Sequence, residues 1–230
     1  MIMNNDNNLI IFDYDGTIVN SEKTIVSGVR YALEFHDYKV PDDETIRKNI
    51  GRALIPVFAE LTQSSDSNIH AQLLETYRSW YKDNVGNGEL TDQLYPDARE
   101  VLINLKNQNF QLGIATNKSR NGLLEGINRH KIDHLFSVIK TIHDCNPKPM
   151  PDMGLECIKQ MSVKKSNTIM VGDTINDALM AKNCEIKFIG VEWGFNDKSI
   201  LIENGAIEIA ENFIDLLNII RSHFESSEPV

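Results

Sequence analysis

Leu9-Ile10-Ile11-Phe12-Asp13-Tyr14-Asp15-Gly16-Thr17 is a continuously apolar run that stops abruptly at acids and a glycine. A strand buried on both faces of a parallel sheet reads this way, because neither face needs a polar residue until the chain leaves the sheet. Asp13 and Asp15, one residue apart on extended backbone, project to the same side. Gly16 permits a sharp departure that leaves both at the sheet edge. Like charges so close cannot both ionise easily, so one carboxyl is pushed toward proton donation while its neighbour, near a metal, stays an anion. That pairing suits a nucleophile beside a general acid. The stretch alone is also compatible with a solvated turn or a calcium loop, but the glutamate and further oxygen ligands of a calcium loop do not follow Gly16.

Outward from this stretch, apolar runs recur at 110–115, 168–171 and 186–191, each beside helical periodicity. Ala98, Val101, Leu102 and Leu105 show that period, falling on one helix face. Alternating strands and helices predict an α/β fold, a doubly wound parallel sheet with a Rossmannoid core, whose ligand groups gather at the carboxyl ends of the strands. Between Ser21 and Glu89 the strand signal disappears, while Val26, Val29, Ala32 and Leu33, then Leu54, Phe58 and Leu61, keep helical spacing. The expected organisation is therefore a catalytic core of residues 1–20 and 90–230 with an inserted all-helical cap of residues 21–89. Gly86-Asn87-Gly88 and Tyr95-Pro96 read as a hinge between the two bodies, or as an ordinary loop.

Three later motifs also stand at strand ends or in loops. Ala115-Thr116-Asn117-Lys118-Ser119 offers a hydroxyl and backbone N–H groups at a helix start, a natural phosphate cradle, or simply a cap at Thr116. Asn146-Pro147-Lys148-Pro149-Met150-Pro151-Asp152 holds Lys148 in a loop restricted by prolines, as a positioned point charge. In Gly172-Asp173-Thr174-Ile175-Asn176-Asp177, Asp173 reaches a metal from the strand end and Asp177, one helical turn on, orients Lys148 or a metal-bound water. Asp13, Asp15, Asp173 and Asp177 beside a dianionic phosphate require a divalent cation and Lys148, and oxygen ligands without cysteine or histidine favour Mg2+.

The 230 residues carry a formal net charge of -10, which disfavours nucleic acid and anionic membranes as partners. The apolar run after the Asn-rich start is too short for a signal or membrane segment, so a cytoplasmic location is expected. Cys145, Cys157 and Cys184 lack CxxC spacing and read as buried thiols. His130 and His134 have zinc-compatible spacing without a third ligand, so a solvated face is expected. Arg47, Lys48 and Arg52 in the cap read as surface charge or as partners for an anionic leaving group.

The order and content of DYDGT, ATNKS, PKPMPD and VGDTIND resemble the haloacid dehalogenase superfamily, specifically its phosphatases with a helical cap, over nearly the whole chain. Tyr95-Pro96-Asp97-Ala98 and Gly190-Val191-Glu192-Trp193-Gly194 look like the phosphoglycolate-phosphatase branch and its pyrophosphatase and nucleotidase neighbours. The resemblance implies that Asp13 is the nucleophile and Asp15 the acid, then the base. It implies that Thr116, Asn117 and Lys148 hold the phosphoryl oxygens, that Asp13, Asp173 and the backbone of Asp15 hold Mg2+, and that Asp177 supports that shell. The second aspartate of the pair argues against the dehalogenase branch. Asn20, Asp97 and Asn183-Cys184 depart from the family pattern without touching this set.

The implied activity is hydrolysis of a small phosphorylated metabolite, phosphoglycolate-like, a sugar phosphate or a nucleotide, by a monomer or homodimer. A phosphomutase or a pyrophosphatase of the same superfamily is the near rival, since the cap decides between them. A phospho-accepting receiver module is a more distant one, because a receiver needs no helical insertion.

Overall fold

The computed structural model describes residues 8–85 and 90–225. The expected hinge at Gly86-Asn87-Gly88 lies outside the described residues. In chain order the elements are β1 (Leu9–Phe12), β2 (Val19–Asn20), α1 (Glu22–Phe35), α2 (Asp43–Arg47), α3 (Leu54–Thr62), α4 (Ser67–Asn84) and β3 (Gln93–Leu94). They continue as α5 (Ala98–Asn107), β4 (Gln111–Thr116), α6 (Arg120–Arg129), β5 (Val138–Thr141), α7 (Asp152–Met161) and β6 (Thr168–Gly172). Last come α8 (Ile175–Cys184), β7 (Lys187–Val191), α9 (Lys198–Glu203), β8 (Glu208–Ala210) and α10 (Phe213–Glu225).

Six parallel strands form the main sheet in the order β5-β4-β1-β6-β7-β8, with β1 near the middle. The side-chain period of a strand sends Ile10 and Phe12 into one layer with α5, α6 and α10. Leu9 and Ile11 enter the opposite layer with α7, α8 and α9. All four are fully buried, which is why the run shows no alternation in the sequence. From β1 the chain crosses to β4 on one side and later to β6 on the other. The crevice at such a reversal, outside the carboxyl ends of the strands, is where ligand groups collect.

Two strand starts fall one residue later than the apolar runs predict. Asn109 takes φ 65° and Phe110 N–H still bonds the Leu105 carbonyl, so Phe110 closes the end of α5 and does not begin β4. Glu185 and Ile186 repeat the arrangement at the end of α8, with Ile186 N–H on the Ala181 carbonyl. Asp97, a departure from the family pattern, occupies the left-handed region at φ 61°, where glycine is the unstrained residue.

Between β2 and β3 the helices α1–α4 pack on a core of their own that includes Val29, Leu33, Phe58, Leu73 and Tyr77. The short β2 and β3 pair antiparallel, Val19 opposite Leu94, so this helical unit leaves and rejoins the sheet domain through adjacent backbone. Phe195, from the loop after β7, also packs into the helical core.

Candidate active site

Asp13 is pinned before its side chain does anything, because its N–H donates to the Val171 carbonyl at 2.9 Å and continues the ladder from β1 to β6. The chain then turns at Gly16, φ 81°, where a side chain would strike the Asp173 carboxylate and the Phe195 ring. Asp13 is buried, with one carboxylate oxygen accepting the Tyr14 N–H at 2.7 Å and the other 2.8 Å from Lys148 Nζ. Lys148 Nζ also lies 2.6 Å from Asp177 Oδ1. The remaining Asp177 oxygen accepts the Thr174 N–H at 3.0 Å and the Thr174 hydroxyl at 2.7 Å, completing a capping box at the start of α8. Asp177 thus touches Lys148, a contact that its place one helical turn after Asp173 permits.

Asp173 follows β6 directly and accepts the Thr17 hydroxyl at 2.8 Å and the Phe195 N–H at 2.9 Å. Ligand oxygens of Asp13, Asp173 and Asp177 lie within 4.8 Å of one another. Burial pushes the Asp13 carboxyl up to about 6, against the lowering effect of Lys148, and Asp177 adds to the rise. Burial likewise raises Asp173 well above the ordinary carboxylate range, helped by Asp177 and Asp13. Burial alone would lower Lys148, but Asp13 and Asp177 lift it. Three buried carboxylates against one ammonium leave an uncompensated negative pocket of hard oxygen donors, which fits a divalent cation such as Mg2+.

Asp15 differs from the sequence expectation of a carboxylate pair sharing one site. Each carboxylate has its own lysine, since both Asp15 oxygens lie near Lys118 Nζ, at 3.0 and 3.2 Å. The carboxylate that raises Asp13 is Asp177, not its sequence neighbour. Lys118 is enclosed, its Nζ 5.7 Å from the centre of the Tyr14 ring and 5.2 Å from that of Tyr81 on α4. Lys118 stands in the ATNKS motif, yet only the folded position of Asp15 reveals its task. Thr17, Thr174 and Phe195 were also missed, and the proximity of Thr17 to the acidic pair is the one signal that could have singled it out.

Thr116 ends β4 and is buried at the cavity floor, its hydroxyl accepting the Lys118 N–H at 3.3 Å. It does not cap α6, because Ser119 does so by accepting the Gly122 N–H. The Asn117 amide is fully engaged: Oδ1 accepts the Lys148 N–H at 2.8 Å, and Nδ2 donates to the carbonyls of Gly51 at 2.9 Å and Lys148 at 3.1 Å. Any contact from Asn117 to a phosphoryl oxygen thus falls to its backbone N–H. Gly51 belongs to the helical unit, so this side chain joins that unit to the lysine loop.

The cap cations are paired. Arg47 lies 3.3 Å from Glu22, Lys48 3.6 Å from Glu44, and Arg52 2.8 Å from Glu60, with Asn49 as a second Arg52 partner. His130 and His134 join no metal-type cluster among the described residues. A cavity of about 850 Å³ extends from Asp13, Asp15 and Thr116 to the undersides of the cap helices. Among the described residues, no helix is long and apolar enough to cross a membrane.

The chain is similar to known proteins over most of its length. The family described as haloacid dehalogenase-like hydrolase matches residues 10–191. The chain is 27% identical over 214 residues to pyrophosphatase PpaX of Bacillus mycoides (strain KBAB4), covering 93% of this chain and 96% of the relative. It is 28% identical over the same length to the PpaX of Bacillus cereus (strain B4264), with the same coverage. Among solved structures, a haloacid dehalogenase-like hydrolase from Bacteroides fragilis matches with a TM-score of 0.85 and 26% identity, over 91% of this chain and 99% of the other. A predicted phosphoglycolate phosphatase from Haemophilus somnus 129pt, at 22% identity and a TM-score of 0.82 over 94% and 99%, shares the fold.

Proposed function

The chain belongs to the haloacid dehalogenase-like hydrolases, and from that premise we propose that it hydrolyses a small phosphomonoester through an aspartyl-phosphate on Asp13. One observation carries this reading: the buried Asp13–Lys148–Asp177 chain beside Asp173, at the floor of a cavity that also holds Asp15 and Thr116. Residues 1–20 and 90–230 form the catalytic core in this reading, and residues 21–89 form the cap.

Asp13 attacks the phosphorus, and the bond to the leaving oxygen breaks as Asp15 gives that oxygen a proton. Asp15 then takes a proton from a water that attacks the aspartyl-phosphate, which frees phosphate and regenerates Asp13. Splitting one slow displacement into two lowers the barrier of each. Thr116 Oγ1, the Asn117 N–H and Lys148 Nζ hold the phosphoryl oxygens, where fixed donors stabilise the charge that develops in the transition state. Lys118 orients Asp15 and Asp177 orients Lys148. Asp13, Asp173 and the Asp15 carbonyl would hold Mg2+, whose chemistry is to neutralise phosphoryl charge next to three carboxylates.

Phosphate release from a phosphomonoester panel, with magnesium or with chelator, tests the reading beside Asp13→Asn. Release should require magnesium and fall at least about 10³-fold in the variant. Acid-quenched wild-type protein should gain the mass of one phosphoryl group. Magnesium-dependent release that survives in Asp13→Asn would overturn the assignment.

A further inference from the structure

We propose, resting on the phosphatase reading above, that the cavity selects esters whose leaving group is uncharged and apolar in body, over pyrophosphate and over carboxylate-bearing esters such as phosphoglycolate. Size is the first argument. Pyrophosphate and phosphoglycolate each have about nine non-hydrogen atoms, which fill less than ~270 Å³ even at the ~30 Å³ that liquid water takes per molecule. The cavity holds about 850 Å³, within the ~300–1,000 Å³ range of pockets for much larger molecules.

The walls are the second argument. Ile25, Val29, Ile46, Ile50, Val57 and Leu74 line the chamber from α1 to α4 and the loops between them, and each is apolar. Tyr77 and Tyr81 complete that side with ring centres 6.3 Å apart and planes inclined by 29°. A second anionic group placed against such walls loses its water without gaining a counter-charge, which is costly. An alkyl, aryl or sugar-borne apolar surface loses only unfavourable hydration.

The supply of cations is the third argument. Of the basic residues lining the cavity among the described residues, Arg52 is held by Glu60 and Asn49, and Lys118 by Asp15. Arg78 and Lys82 are exposed on α4, with the acid Glu75 on the same helix. Lys148 is already shared between Asp13 and Asp177. Among the described lining residues, that leaves Arg78 and Lys82, both exposed to water, as the cations a leaving phosphate or carboxylate could reach, and an ion pair with so exposed a cation offsets little of the desolvation cost. His143, Asn121 and Ser119 on the lining can instead meet a hydroxyl or ester oxygen.

The test is kcat/KM of the wild-type protein with magnesium for ethyl, butyl and hexyl phosphate beside phosphoglycolate and pyrophosphate. The alkyl esters have nearly the same leaving-group chemistry, so their differences report burial in the chamber. Each buried methylene contributes up to about fourfold, so hexyl phosphate should exceed ethyl phosphate, phosphoglycolate and pyrophosphate by at least about tenfold. Leu54→Lys, which places an ammonium on the chamber wall, should lower hexyl phosphate turnover and raise that of phosphoglycolate. A flat alkyl series, or preference for pyrophosphate or phosphoglycolate, overturns this inference and leaves the phosphatase reading intact. No magnesium-dependent release from any member takes that reading down, and this inference with it.

Discussion

Replacing Lys148 by methionine removes the one ammonium placed between Asp13 and Asp177 while keeping most of the side-chain volume. At 2.8 and 2.6 Å, each ion pair is worth about 6 kcal/mol in gross Coulomb energy at an effective dielectric constant of about 20. Desolvation of the lysine offsets much of that sum, and breaking a buried pair from one side typically costs about 3–5 kcal/mol. For a chain of this length each kcal/mol moves the melting temperature by about 2–4 °C, so Lys148→Met should melt roughly 6–20 °C lower in chelator. Urea unfolding gives the same quantity, and adding Asp177→Asn separates the causes. If uncompensated charge is responsible, the double variant should recover at least about 1 kcal/mol relative to the sum of the single ones. A Lys148→Met protein within about 1 kcal/mol of wild type, or strictly additive variants, would refute the electrostatic account of this cluster.

Two further outcomes follow from the site. Asn117→Ala keeps the backbone N–H but strips partners from Gly51 and Lys148, so it should lose about 1–3 kcal/mol in urea unfolding, with a higher KM. An unchanged KM together with unchanged stability would show that the side chain clasps nothing that matters. In chelator, Asp13 is harder to ionise in the folded chain than in the unfolded one, about 6 against 3.8, so its contribution is complete below pH 3.8 and is lost as pH rises through 6. That gap is worth at most roughly 3 kcal/mol, and magnesium should restore it, so the difference in melting temperature with and without the ion should widen from pH 4 to pH 7. A difference independent of pH would count against the shift.

The central strands were legible because burial on both faces leaves only apolar residues, as in Leu9 to Phe12, and because acids or a hydroxyl follow them at once. Edge strands were not. β5 includes Lys140 and β8 has three residues beginning with Glu208, so neither shows an unbroken apolar run. The helical unit was readable from its 3.6-residue period, whereas β2 and β3, at two residues each, are too short to have a period. At the site, motif spacing brought forward Asp13, Asp15, Thr116, Lys148 and Asp173, each placed at a strand end or in the loop beside it, and Asp177, which lies in the first turn of α8. It could not reveal that Asp15 answers to Lys118, 103 positions away, or that the Asn117 amide is consumed by Gly51 and Lys148. Those are facts of three-dimensional closure, in which partners are chosen by the sheet order and not by the chain.

The antiparallel pairing of Val19 with Leu94 also makes the helical unit exchangeable. A segment whose two ends emerge side by side can be lengthened, shortened or replaced without changing the register of the main sheet, because no main-sheet strand runs through it. Evolution can thus vary the chamber while conserving the chemistry beneath it. The couplings that a transplanted unit would have to reproduce include a carbonyl where Gly51 meets Asn117 and Asn176, an apolar seat for Phe195, and an aromatic face where Tyr81 covers Lys118.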